Sequence, residues 1–391
     1  MSSRLPRLAR LDDLRAAAAT LVFACHASLF WFAFHSDETD RVFSYIGRFG
    51  VAIFFVISGL VIYRPFVQAR GAARKQSLRA FARRRVLRIV PAYWIALVVF
   101  GVLLPHQVRP LDVHDFALFA GFGQIYSPHS YYRGLSVAWT LDIELCFYAA
   151  IPFLALGARW LIVQPNGHRL ELAALLCLGL LSIAVRVLDP AGVLGGTILG
   201  YAGWFAIGMT LAVVASEHAS WLRGIPLSSG SLWVLAGLGY LLLVGHLPYA
   251  SHSDQGSLLE YCGLGLLAAL TVLAGIKSNG ASQTRIGRWL GERSYGIYLW
   301  HYPILAWLVE TRLGGWAYIT EGLCLTLLAA HLSFVLVERP LMQRTSLFGR
   351  QRRGDATAAS QLGDGLREQP QRPAQGPARP AVPATLVPSA D

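Results

Sequence analysis

Charge is scarce in this sequence. Lys, Arg, Asp and Glu make up 14% of its 391 residues, where a soluble domain carries about 25%. That shortage, with 54% apolar residues, excludes a disordered chain, a fibrous one and an ordinary soluble enzyme. Acidic residues are the scarcer sign, 22 against 34 basic ones, for a net charge of +12. A nucleic-acid binder can show that balance, but its basic residues would not alternate with long apolar runs. Cysteine is limited to five residues with no CxxC among them. This argues against a disulfide framework and a zinc site, and leaves small apolar packing residues. GxxxxGK[ST], HExxH and GxSxG are absent, and Ser58 lacks the flanks of a nucleophile elbow.

What is present is apolar length. A membrane helix takes about 20 apolar-dominated residues. Ten windows qualify: 11–33, 46–66, 86–104, 138–158, 170–188, 196–215, 231–247, 258–276, 293–310 and 316–338. The fold class is therefore an all-α integral membrane protein, a bundle of about ten transmembrane helices. The domain is expected over 1–340. A Pro/Arg-rich, disordered cytoplasmic tail is expected over 341–391, where six prolines fall in the last 22 residues. The first apolar run is interrupted by Arg15 and His26 and reads as a retained helix rather than a signal peptide. Ten spans put both termini on one side. Of the 34 positive residues, 26 fall on that side and six on the other. The excess marks the side of the termini as cytoplasmic, and the location as the cell's inner membrane. Gly192, Gly196 and Gly200, four apart, suggest close helix packing.

Ionisable groups at membrane depth are expensive and are candidates for function. Arg15 and His26 lie eleven positions apart on the first span. That is about three helical turns, so the two share a face at roughly 16 Å separation. Each alone has a plain reading, a snorkelling anchor and a packing histidine. Together they suggest a cation at the surface and a neutral general base deeper in. Asp142 and Glu144 enter the fourth span. Asp142 suits a helix N-terminus. Glu144 needs a partner from another helix, and a histidine that it orients is a natural one. Arg84 or Arg85 shares a helical face with Arg88 at the cytosolic boundary of the third span. They serve as a topology signal touching anionic lipid or as a phosphate site. The connection 105–137 holds His106, His114, His129, Asp112, Asp115 and three tyrosines. Its length favours a functional or partly re-entrant segment, and its polar and aromatic groups suit a sugar. Its histidines lack metal-site spacing, so no metal is expected.

Six blocks now line up with a known family. They are Leu11 to Arg15 with His26, Gly50 to Gly59, Arg84-Arg85 through Arg88 to Trp94, Trp139 to Tyr148, Ser294 to Pro303, and Glu338-Arg339-Pro340. In this order they resemble the acyltransferase-3 family of multi-pass membrane O-acyltransferases, in a stand-alone form without a C-terminal esterase-like domain. The resemblance implies a cytosolic acyl-CoA donor, with acetyl-CoA the commonest. It implies a hydroxyl acceptor on a glycan, glycolipid or related natural product. It transfers function to Arg15, His26, Arg85 and Arg88, and after them to Glu144 and Glu338; His301 and Asp142 stand within matching blocks. Asp13, Ala52 and Asp142 depart from the residues frequent in the family. Combined with the face shared by Arg15 and His26, this suggests a mechanism. Arg15, Arg85 and Arg88 hold the CoA phosphates. His26 is general base or transient acyl carrier, with Glu144 as its orienter. A transporter or flippase of a lipid or small molecule is the other class. It would more often show an internal repeat and paired broken helices, and neither is found. A catalytically dead scaffold subunit of an envelope-synthesis complex is a third.

Overall fold

In the computed structural model the described residues are 10–32, 37–70, 77–103, 111–131, 134–189, 192–246, 258–278, 283–311 and 313–344. The tail expected from residue 341 falls, past Arg344, outside them, as does His106. Among the described residues there are thirteen α-helices and no strand. They are α1 (Leu11–Phe32), α2 (Asp37–Gln68), α3 (Leu78–Val98), α4 (Val113–Ala120), α5 (Trp139–Ile162), α6 (Gly167–Leu188), α7 (Ile198–Glu217), α8 (Ala219–Gly224), α9 (Ser229–His246), α10 (Leu258–Lys277), α11 (Arg285–Glu292), α12 (Ser294–Glu310) and α13 (Gly315–Ser333). A π-helical turn, Phe334–Glu338, continues α13.

Eight of these stretches are long and apolar enough to cross a membrane. The chain is a multi-pass membrane protein. The two remaining windows are also helices, and their chemistry explains why they rank lower. α3 carries five arginines along its first eleven residues. α12 is only 17 residues long, because the chain breaks at Arg293 between α11 and α12.

α2 is the centre of the bundle. It packs against α1, α7 and α10, and Ala52, Val56 and Leu60 on it are fully buried. Against α7 the approach is backbone to backbone. A Cβ on Gly59 would lie 2.2 Å from the Phe205 carbonyl oxygen, and one on Gly208 would lie 2.0 Å from that of Val56. Small residues permit such contact where no hydrophobic drive toward lipid separates helices. This pair, not the 192–196–200 ladder, makes the close crossing of α2 and α7. Gly196 lies in a 3-10 turn before α7, and a Cβ on Gly200 would strike the carbonyl of Gly195 in that same turn. Ala52, where the family often has a polar residue, is simply core. Leu176, Leu180 and Leu181 of α6, and Leu241 and Leu242 of α9, are exposed. They form the apolar faces that lipid covers.

The connection before α5 is folded. Asp112 caps α4 by accepting from Asp115 N–H at 2.7 Å. Ser130 Oγ donates to the buried Asp115 at 2.6 Å. Tyr131 donates to the Gly196 carbonyl at 2.9 Å, which ties this segment to the entry of α7.

Candidate active site

A cavity opens between α1, α2, α3, α5 and α12. Arg15, Arg85, Arg88 and Glu144 line it, with Ser58, Thr140, Tyr148, Tyr295 and Tyr298. Sequence alone put Arg15 on one helix and the two arginines on another. The fold turns all three guanidinium groups to one space.

Local structure explains each placement. Ser77 caps α3, accepting from Ala80 N–H at 3.3 Å. From that start Arg85 and Arg88 are one turn apart, on the face that meets the cavity. Arg85 is held over the rings of Phe81 and Tyr148, 5.8 and 5.5 Å from their centres. Cation–π contacts of this kind hold a guanidinium without neutralising it. Arg15 is 3.6 Å from Asp12 and shares its electrostatic environment with Arg85 and Arg88. Three like charges around one space repel one another, and an anionic ligand relieves that repulsion. Asp12 is anchored in turn by Gln283 at 2.8 Å. Asp13, where the family often has glycine, accepts from Thr284 Oγ1 at 3.2 Å. Both fix the start of α1 beside α11.

Glu144 does not reach a histidine through its hydrogen bonds. Its Oε1 accepts from Ser58 Oγ at 2.7 Å and from Tyr148 OH. The expectation that it orients His26 gives way to this arrangement. Tyr148 stands four residues on along α5, one turn away, and Ser58 comes from α2. The i,i+4 relation of Glu144 and Tyr148 was readable in the sequence. The approach of Ser58 was not.

His26 meets a second imidazole instead. Its Nδ1 lies 3.1 Å from His301 Nε2 and 3.0 Å from the Val22 carbonyl oxygen. His301, fully buried, has its own Nδ1 3.1 Å from the Ile297 carbonyl oxygen. A carbonyl only accepts, so for two neutral rings His301 Nδ1 carries its proton and His301 Nε2 accepts. His26 Nδ1–H then donates, and His26 Nε2 is left as that ring's proton-accepting atom. Tyr302 packs edge-on against His26, ring centres 5.3 Å apart. His26 does not line the cavity. Between the two levels stands Tyr298, which lines the cavity and packs against His301 at 5.7 Å between ring centres. Tyr298 OH accepts from Thr140 at 2.7 Å and donates to the Val137 carbonyl at 3.1 Å.

The other two expected residues lie outside the cavity lining. Glu338 is buried, accepts from Ser333 Oγ at 3.3 Å and interacts with Arg88. Asp142 is fully buried, and its carboxylate faces Gln124 and Ile125. No side chain caps the start of α5. Sequence reasoning missed Ser58, Tyr148 and Tyr298 as a group. Only their convergence on Glu144 and His301 marks them.

A family profile described as an acyltransferase domain (Acyl_transf_3) matches residues 8–338. The chain is 28% identical to the peptidoglycan O-acetyltransferase OatA of Listeria monocytogenes over 365 residues, covering 85% of this chain and 55% of that protein. It is 30% identical to the exopolysaccharide production protein ExoZ of Rhizobium meliloti, covering 85% of this chain and 99% of that one. It is 26% identical to the acyltransferase MdmB of Streptomyces mycarofaciens, covering 90% and 95%. The chain thus spans about half the length of OatA and nearly all of ExoZ. No solved structure matches.

Proposed function

The chain belongs to the acyltransferase-3 family, and we propose that it moves an acyl group, acetyl before others, from cytosolic acyl-CoA to a hydroxyl of a glycan or glycolipid. The observation that carries this is the convergence of Arg15, Arg85 and Arg88 on one cavity, with the His26–His301 pair further along α1. Guanidinium groups suit the phosphates of CoA, because each presents several donors in a planar fork. The charge asymmetry of the connections supports an arginine end facing the cytoplasm. The relatives named for peptidoglycan and exopolysaccharide support a glycan acceptor.

In this reading the phosphates sit among the arginines and the pantetheine arm passes Tyr298. The thioester carbonyl reaches the level of His26. The acceptor hydroxyl oxygen attacks that carbonyl while His26 Nε2 takes its proton. The carbon–sulfur bond breaks, and the departing CoA sulfur takes the proton from His26. CoA thiol and acyl ester are the products. His301 fixes the tautomer that leaves Nε2 facing the hydroxyl. Glu338 offsets part of the Arg88 charge from a distance. Glu144, with Ser58 and Tyr148, shapes the passage.

Purified protein incubated with radiolabelled acetyl-CoA and a glycan acceptor tests the proposal. Label is expected in the acceptor. Turnover of the acceptor's position across the membrane without transfer of label would overturn it in favour of a transporter. Label retained on the protein when acceptor is withheld would replace the general-base step by an acyl-histidine. Deletion of the gene, followed by mass spectrometry of surface glycans, is expected to reveal a lost acyl mass and so to identify the acceptor.

A further inference from the structure

A second polar cluster stands apart from the cavity, where α2 ends, α6 begins and α7 ends. His168 is the second residue of α6, reached through a left-handed turn at Asn166 (φ 61°). Glu217 closes α7, and His218 follows it. The available ligand atoms of these three side chains all lie within 4.8 Å of one another. His168 Nδ1 is 2.7 Å from Glu217 Oε2. Beside that pair, His218 Nε2 is buried without a hydrogen-bond partner. A ring nitrogen that converges on two other ligand atoms, is hidden from water and makes no hydrogen bond is an unusual expense for a protein.

The surroundings resemble a support for a bound cation. Glu217 Oε1, the other oxygen, accepts from Arg70 at 3.0 Å. Arg70 also bonds Glu171, to which Tyr63 donates. One guanidinium therefore serves two carboxylates. The His218 ring is fixed by stacking on Trp221, with centres 4.5 Å apart and planes 17° from parallel. Ligand residues of metal sites are characteristically held by such outer partners. His168 is half exposed, so the site has an open side.

We propose that His168, Glu217 and His218 bind a divalent transition-metal ion of the zinc class. Two imidazole nitrogens and one carboxylate oxygen, with an open position for water, are a zinc-type donor set and not one for magnesium or calcium. The ion ties the start of α6 to the end of α7, and through Glu217 and Arg70 it is joined to the end of α2. No residue of this cluster lines the acyl-transfer cavity, so the proposal stands whether or not that assignment does. The sequence showed no such site, because its ligands come from stretches about 50 residues apart.

The test is calorimetric titration of zinc chloride into the purified full-length protein, carried on a tag free of histidine. One saturable site is expected. A direct ligand should matter at least as much as outer-shell partners do, so His168→Ala and His218→Ala should each raise Kd by at least about tenfold. His114→Ala, in the separate Asp112–His114–Asp115 group, should leave that site unchanged. Thermal unfolding without metal guards against misfolding. His168→Ala, at an exposed ring, should match the parent Tm there and lose the rise that zinc gives the parent. Absence of saturable zinc binding would overturn the proposal. So would parent-like zinc affinity in both histidine variants, or binding of magnesium at the same strength.

Discussion

The two levels of the site are built on opposite principles. At the arginine level, charges are held over aromatic rings and beside other charges, around an open cavity. At the histidine level, two rings are packed among aromatics, and a buried carbonyl decides where each proton sits. The first can hold a polyanion, because three like charges around one space are relieved by an anionic ligand. The second can hold one protonation state, because a buried polar group without its partner is costly. Binding and chemistry are thereby separable, and variants at the two levels should fail in different ways.

The largest effect is expected at the histidine level. His26→Ala should lower kcat for acyl transfer by about 10²- to 10⁴-fold, the range of general acid–base catalysis. Donor affinity, measured by binding of labelled acyl-CoA, should stay close to that of the parent. Full activity in this variant would remove both the base and the acyl-carrier reading. At the arginine level the pattern should invert. Arg85→Ala with Arg88→Ala should weaken acyl-CoA binding by about 10- to 100-fold, the range for lost hydrogen bonds to a charged group, with kcat retained at saturation. Unchanged affinity would mean that the phosphates bind elsewhere.

Smaller effects sharpen the boundary. His301→Ala should lower kcat by about tenfold, as a freed His26 tautomer would. His301→Gln can still accept from His26 Nδ1–H through its amide oxygen, and should recover part of the loss in the same assay. Equal losses in the two variants would reduce His301 to packing. The smallest change is expected from Thr140→Val, which removes the hydrogen bond to Tyr298. It should cost about 1 kcal/mol of stability, seen as a lower unfolding temperature, with kcat nearly unchanged.

Much of the architecture was legible before any coordinates. The apolar windows located the helices, since length and hydropathy are local properties. The arginine run stood out for the same reason. So did Arg15 and His26, because helical spacing along a single segment needs no partner to be computed. Glu144 shows where this stops. Its isolation in a span demanded a partner, and histidine was a reasonable choice by type. The structure supplies a tyrosine one turn along α5 and a serine from α2. The glycines divide in the same way. A regular ladder at 192–200 pointed to packing, whereas the close crossing of α2 and α7 lies at Gly59 and Gly208.

The sequence by itself determined that this chain lives in a membrane, which segments are helical and which polar residues must justify their burial. Those follow from solvation, which acts on each segment alone. Tertiary structure decided that three arginines share one cavity, that His26 faces His301 rather than Glu144, and that His168 meets Glu217 and His218. Those depend on which helices touch and at what rotation. That is a property of the packed bundle, set by close contacts such as Gly59 on Phe205, and no single segment encodes it.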